Sequence, residues 1–275
     1  MTIKKGLAAV ILATAALAAC GSEKAKETEE EQVVKEEIDL SSEAEQFRTF
    51  AIEQMEVFIT DAEMLAGYVK EGKLEEAQKL YPLVRMYYEH LQPMKASFAE
   101  LDAQIDMPIT AGKEEEATGF RRLEYGLFEQ KQTVGYEAVA EELVANIKKL
   151  NEELPKVELD GQQLVDDTEE MLAQIIDEQL AEKEVSYAGN HLYDIKANIE
   201  ALEEIVKIFM ARAHTEQVEA VTEKVAALNE AIAYYEVGKE DYVNYNLFTS
   251  KQKQELIAAL SAVRQALGKM NASIA

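Results

Sequence analysis

The chain carries one cysteine, no tryptophan, three histidines and four prolines in 275 residues. Each scarcity excludes something. A single cysteine permits no internal disulfide and no thiolate metal cluster. With His90, His191 and His214 as the only histidines, no zinc helix of the His-Glu-x-x-His kind can form. Neither a Gly-x-Ser-x-Gly elbow nor a phosphate-cradling glycine loop occurs, so the common hydrolase and nucleotide-binding arrangements are missing. Basic residues are also short: 28 Lys and Arg stand against 53 Asp and Glu, a net charge of −25. Nucleic-acid binding needs a basic footprint, which this composition does not supply. Cations, cationic partners and plain solubility in a salty exterior all remain compatible with such a charge.

The cysteine that is present stands at an informative place. Lys4 and Lys5 make a short basic start, and Gly6 to Ala19 is an uncharged apolar run. That run falls short of the about 20 residues a membrane-spanning helix needs. It fits the apolar core of a signal peptide over residues 1–19. It ends in Leu17-Ala18-Ala19-Cys20, which resembles the lipobox of bacterial lipoproteins, so cleavage and lipidation are expected at Cys20. Residues 20–40 are rich in charge, lack aromatics and show no apolar stripe, the composition of a disordered acidic tether. The expected location is the extracytoplasmic face of a cell membrane, held by the lipid.

Beyond the tether, apolar residues recur at steps of three and four, the period of buried helix faces. One stripe is Ala51, Met55, Phe58, Ala62, Leu65, Val69; the next runs from Leu74 to Leu91 and breaks at Pro93. Further stripes cover 120–127, 136–150, 164–175, 192–209, 218–235 and 256–270. Ser42 with Glu45, and Thr249 with Gln252, have capping-box spacing, and Asp160 is placed to cap the fifth helix. No segment alternates strictly, so no sheet of consequence is expected. Leu154-Pro155-Lys156 divides eight helices into four and four. The reading is all-α: two antiparallel four-helix bundles packed side by side, over 41–155 and 156–275.

Four stretches then carry a family resemblance. Tyr81-Pro-Leu-Val-Arg85-Met-Tyr-Tyr88-Glu89-His90-Leu-Gln92-Pro93 is similar to the YPxxRxxYERxEP segment of the EfeO/EfeM proteins, in the imelysin-like group. Ser97-Phe98 with Leu101-Asp102 and Ile105-Asp106 resembles that family's SFGDLDPxID segment. Gly119 to Phe128 resembles its GFHRIEKGLW segment, and Tyr187 to Glu200 its YSHTDLYDFKANIEG segment. The resemblance implies the two-bundle fold and the extracytoplasmic iron-binding component of the Efe iron uptake system. Its implied partners are an Efe-type permease, a haem peroxidase and the metal ion itself. It also implies a metal site between helices, built on a His-x-x-Glu pair with neighbouring acids. Residues three apart share a helix face, and hard ferric iron favours oxygen donors.

This chain departs from the pattern at that site. Arg121 stands where the family has its histidine, and a guanidinium has no lone pair to donate. Gln92 replaces an acid, and Ala188-Gly189-Asn190-His191 replaces Ser-His-Thr-Asp. Glu89, Asp102, Asp106, Glu124 and Asp194 match. Two readings stay open. Arg121 and Glu124 form a structural ion pair and the fold serves as a scaffold or adaptor without metal. Alternatively the site is rebuilt from His191 with Asp194, His90 beside Glu89, and Glu124, Asp102 or Asp106, for iron, copper or zinc. A third possibility is an organic solute such as a polysaccharide, which the absence of tryptophan disfavours. Tyr87, Tyr88, Tyr125, Tyr187 and Tyr193 are read as packed rings before they are read as phenolate ligands. The expected function is cation binding with no enzymatic step.

Overall fold

A computed structural model describes residues 38–239 and 241–275, and residues 38–275 form one compact unit. The expected signal peptide, the lipid site at Cys20 and most of the expected tether lie outside the described residues. Leu40 is the first buried side chain among the described residues, lying against Gly161.

The helical stripes become nine α-helices among the described residues. These are α1 (Ser41–Lys70), α2 (Leu74–Glu89), α3 (Ala99–Ile105), α4 (Gly119–Glu124), α5 (Glu137–Glu153), α6 (Gly161–Gln174), α7 (His191–Phe209), α8 (Thr215–Ala233) and α9 (Ser250–Asn271). Helix α1 buries Ala51, Met55, Phe58, Ala62, Leu65 and Val69, the stripe its sequence shows. It packs on α2 and α5, while α2 packs on α7. In the second half α7 packs on α8, α8 on α9 and α9 on α6. One continuous apolar core runs through all of these elements.

Helix ends follow local chemistry. Asp160 caps α6 by accepting the Gln163 N–H at 2.8 Å, and Thr249 and Gln252 make a full capping box on α9. Ser42 does not cap α1 as its spacing suggested. The helix starts two residues earlier than a Ser42 cap would place it, with Leu40 at the N-cap position, and the Asp39 carboxylate accepts the Ser41 N–H instead. Gly72 turns the chain from α1 to α2 with φ +76°, a left-handed conformation natural to glycine. Two helices end in π-helical turns, Tyr125–Glu129 after α4 and Ile175–Gln179 after α6. A 3₁₀ segment, Gln92–Phe98, leads from Pro93 into α3. Among the described residues the sheet content is one short antiparallel hairpin, β1 (Glu236–Gly238) with β2 (Asp241–Tyr242), between α8 and α9.

Candidate functional site

Helix α2 carries an arginine on its buried face. Tyr81, Val84 and Tyr88 pack inward, and Arg85, within the same stripe, is only 1% exposed. A buried guanidinium needs acceptors, and four surround it. Its Nε donates to Asp194 at 3.2 Å, and its Nη2 donates to Glu89 at 2.5 Å and Asp106 at 2.8 Å. Its Nη1 donates to the other Asp106 oxygen. Glu89 lies one turn along α2, Asp106 just beyond α3, and Asp194 on α7. One side chain therefore ties three separate helices together.

The second arginine is bound more loosely. Arg121, on α4, is 6% exposed. Its Nη1 donates to Glu124 at 3.4 Å, the i,i+3 pair anticipated from the spacing. Asp106 stands 3.3 Å from Nε and Glu184 3.7 Å from Nη2. Glu124 is fully buried and fully used. Its Oε1 accepts from the Ser186 hydroxyl at 3.0 Å and from the Tyr187 and Ala188 N–H groups at 2.8 and 2.9 Å. It thus anchors the segment that leads into α7. Gly189, with φ +66°, lets that segment pass within contact of Asn244, whose side chain donates to the Ala188 carbonyl.

The two arginines border a cavity of about 70 Å³, lined also by Glu89, Asp102, Asp106, Glu184 and Asn198 among others. Lys95, Gln92, Gln174 and Gln179 complete its polar rim. Asp102 accepts from the Tyr88 hydroxyl. Asn198 donates to Glu89 at 2.9 Å and to the Asp194 carbonyl at 2.8 Å, which leaves its own oxygen without a partner.

The electrostatics sort the acids. Burial alone would raise the Asp106 carboxyl, but the Arg121 and Arg85 guanidiniums outweigh it and hold it below its usual range. Burial raises Asp102, against the hydrogen bond from Tyr88. Asp194 is pushed up to about 7 by burial, with Arg85 pulling down and Glu89 pushing up. His191 is pushed down to about 4 by burial and then by Arg121, so it is neutral near pH 7.

Of the residues singled out in the sequence, Glu89, Asp102, Asp106, Glu124 and Asp194 meet around the two arginines. His191 lies beside them, lining a second small space of about 10 Å³ with Arg121, Glu184, Ser186 and Asp194. Its ring rests on Tyr245 at 4.4 Å, and its Nδ1 has no hydrogen bond. His90 is directed elsewhere, its Nε2 2.9 Å from Glu200. Among the described residues, no three His, Cys, Asp or Glu groups come together in a way that would hold a metal ion by themselves. The tyrosine hydroxyls at 88, 187 and 193 are taken by Asp102, Glu114 and Asp241. Arg85 and Asn198 were not singled out from sequence. Arg85 is the arginine of the YPxxRxxYERxEP-like segment and falls on the apolar stripe of α2 four residues before Glu89, which allowed a buried pair without distinguishing it from a solvated one.

Comparison with known proteins agrees with this architecture. The family model described as Imelysin (peptidase M75) matches residues 44–270. The chain is 24% identical to "Iron uptake system component EfeM" of Pseudomonas syringae pv. syringae (strain B728a), over 86% of each chain. It is 24% identical to an "Efem/EfeO family lipoprotein" of Staphylococcus haemolyticus (strain JCSC1435), over 97% of this chain and 98% of the relative. It is 26% identical to the EfeM of Bacillus subtilis (strain 168) over 72% of this chain, and spans about half, 53%, of that relative. With the family model covering most of its length, the chain belongs to the imelysin family, among relatives named EfeM and Efem/EfeO.

Proposed function

We propose that this protein is a lipid-anchored, extracytoplasmic component of an iron uptake system, and that it takes a cationic cargo into the Arg85–Arg121 cavity. One observation carries the reading. The carboxylates of Glu89, Asp102, Asp106 and Glu184, brought from separate stretches of the chain, line one small cavity, and Glu124 and Asp194 lie buried beside it. Arg85, Arg121 and Lys95 are the cations that line it with them. An excess of buried negative charge is costly unless a cation or protons join it. The lining is oxygen-rich, which favours iron over copper or zinc among the metals considered. Cys20 supplies the membrane anchor, and the partners are the permease and haem peroxidase of an Efe-type system. The role is binding and handover, without a catalytic step, because the Glu124 carboxylate is committed to holding the Ser186–Ala188 segment rather than to activating a nucleophile.

The test is calorimetry on the full chain in detergent near pH 7, with anaerobic Fe(II), Fe(III)-citrate, Cu(II) and Zn(II). One-to-one iron binding that weakens at least tenfold, about 1.4 kcal/mol, in Asp102→Asn is expected. Silence from all four metals overturns the reading.

The scaffold reading keeps one observation of its own. Glu124 accepts four hydrogen bonds and Arg121 stands where a ligating histidine belongs. Binding absent in this chain and gained in Arg121→His would favour it.

A further inference from the structure

The two buried arginines are not equivalent, and the difference bears on what enters the cavity. Arg85 donates four hydrogen bonds, three of them at 2.8 Å or less, and uses all but one of its five N–H donors. Arg121 has the same five N–H donors and makes one hydrogen bond, at 3.4 Å. Its Nε is buried and makes no hydrogen bond, although Asp106 lies 3.3 Å away off the N–H direction. Such a guanidinium, facing the cavity and short of acceptors, is a fork for a planar oxyanion.

Across the same cavity lies the opposite shortage. Both amide hydrogens of Asn198 are donated, to Glu89 and to the Asp194 carbonyl, and this fixes its oxygen as the free end. That oxygen is buried, in a residue 1% exposed, and accepts nothing. Asp102 lines the same space and is engaged through only one of its oxygens, by Tyr88. An unused donor and an unused acceptor in one small cavity call for a ligand with both signs of charge.

We infer that the cargo enters as a cation together with a small planar oxyanion, the oxyanion seated on Arg121 and the cation on Asp102 and the Asn198 oxygen. This rests on the cation-binding reading above and deepens it. A bare cation beside Arg121 meets direct repulsion, and among the described residues no three acids or histidines come together to hold it. An oxyanion between the two reverses the sign of that contact and adds oxygen ligands. The cavity of about 70 Å³ holds several water-sized groups, enough for an ion and a carbonate or carboxylate. Lys95, hydrogen-bonded to Gln174 at 3.3 Å, adds positive charge at the rim that acts on Asp102 and Asp106, so the cavity as a whole holds cations that an oxyanion would offset.

The experiment uses the full chain in detergent, anaerobic, in carbonate-stripped buffer at fixed pH and ionic strength. Fe(II) is titrated alone, with bicarbonate and with citrate, each affinity corrected for metal held by the anion in solution. The expected result is binding at least tenfold tighter with an anion present. Bicarbonate alone sufficing identifies free carbonate, and a response to citrate only identifies the carboxylate of a chelate. In Arg121→Gln the anion dependence is expected to disappear; the anion series on the unaltered chain decides the matter even if that variant folds poorly. Equal affinity in all three arms overturns the oxyanion and leaves the cation reading standing. No binding in any arm overturns both.

Discussion

Arg85 shows how much one side chain can hold. Replacing it with methionine fills a similar volume but leaves Glu89 and Asp194 buried without their guanidinium and Asp106 with Arg121 alone. Breaking a buried pair from one side costs about 3–5 kcal/mol. Urea unfolding of Arg85→Met should show a loss of that order, and a loss under about 1 kcal/mol would mean that the cluster is solvated or protonated around it. The neighbouring groups give the pH dependence its sign. His191, pushed down to about 4, is neutral in the fold, so its contribution is present above its unfolded pKa and lost as pH falls towards 4. Asp194 runs the other way. Its folded pKa of about 7 lies above its ordinary 3.8, so its contribution is full at low pH and lost as pH rises through 7. Between about 4 and 6.5 the two slopes oppose; above that only Asp194 remains. Stability should therefore decline between about pH 6.5 and 7.5 and level off above, at no more than about 1.4 kcal/mol per unit. In Asp194→Asn the decline should vanish, and an unchanged slope in that variant would remove Asp194 as its source. The acids of this cluster were legible in the sequence because family motifs carry them. The cation at their centre was not, since an arginine inside an apolar stripe looks the same whether it snorkels to water or turns inward.

Elements were legible where the periodicity ran long enough to be counted. The eight apolar stripes correspond to α1, α2 and α4–α9, and two of the three capping signals hold. What escaped were pieces too short to show a period: the 3₁₀ segment after Pro93, the seven-residue α3, the hairpin and both π turns. Yet α3 places Asp102 and Asp106, and the π turn after α6 brings Gln179 to the cavity, so the least legible elements shape the site. Contacts between elements are as hidden. Gly119 opens α4 with φ +49°, and a Cβ there would lie 2.0 Å from the Ile105 carbonyl oxygen at the end of α3. Gly119→Ala must push α3 and α4 apart and strain the backbone, costing about 2–5 kcal/mol from overpacking plus left-handed strain. Gly72, at φ +76°, has open space around its missing Cβ. Gly72→Ala should cost only the strain, about 1–2 kcal/mol. Thermal unfolding of the pair separates steric contact from backbone preference, and equal losses would show that the α3–α4 approach is not tight.

At the scale of the whole molecule, charge acts in two directions that salt can pull apart. With 53 acids against 28 bases, the surface repels itself even after its ion pairs are counted. Pairs such as Lys70–Glu141 and Lys148–Glu63 are exposed and each contributes little. Raising salt from roughly 0.05 to 0.5 M shortens the screening length severalfold, and relief of self-repulsion should outweigh the weakened pairs. The melting temperature should therefore rise with salt, while the Arg85 cluster, shielded from solvent, contributes almost nothing to the change. Cation capture responds oppositely. A strongly acidic surface raises the local concentration of cations and their association rate, and screening removes that advantage. Stopped-flow association of Fe(II) should slow over the same salt range in which the fold gains stability. If the association rate is flat, the acidic surface serves solubility alone, and the buried cluster captures its cargo without help from the long-range field.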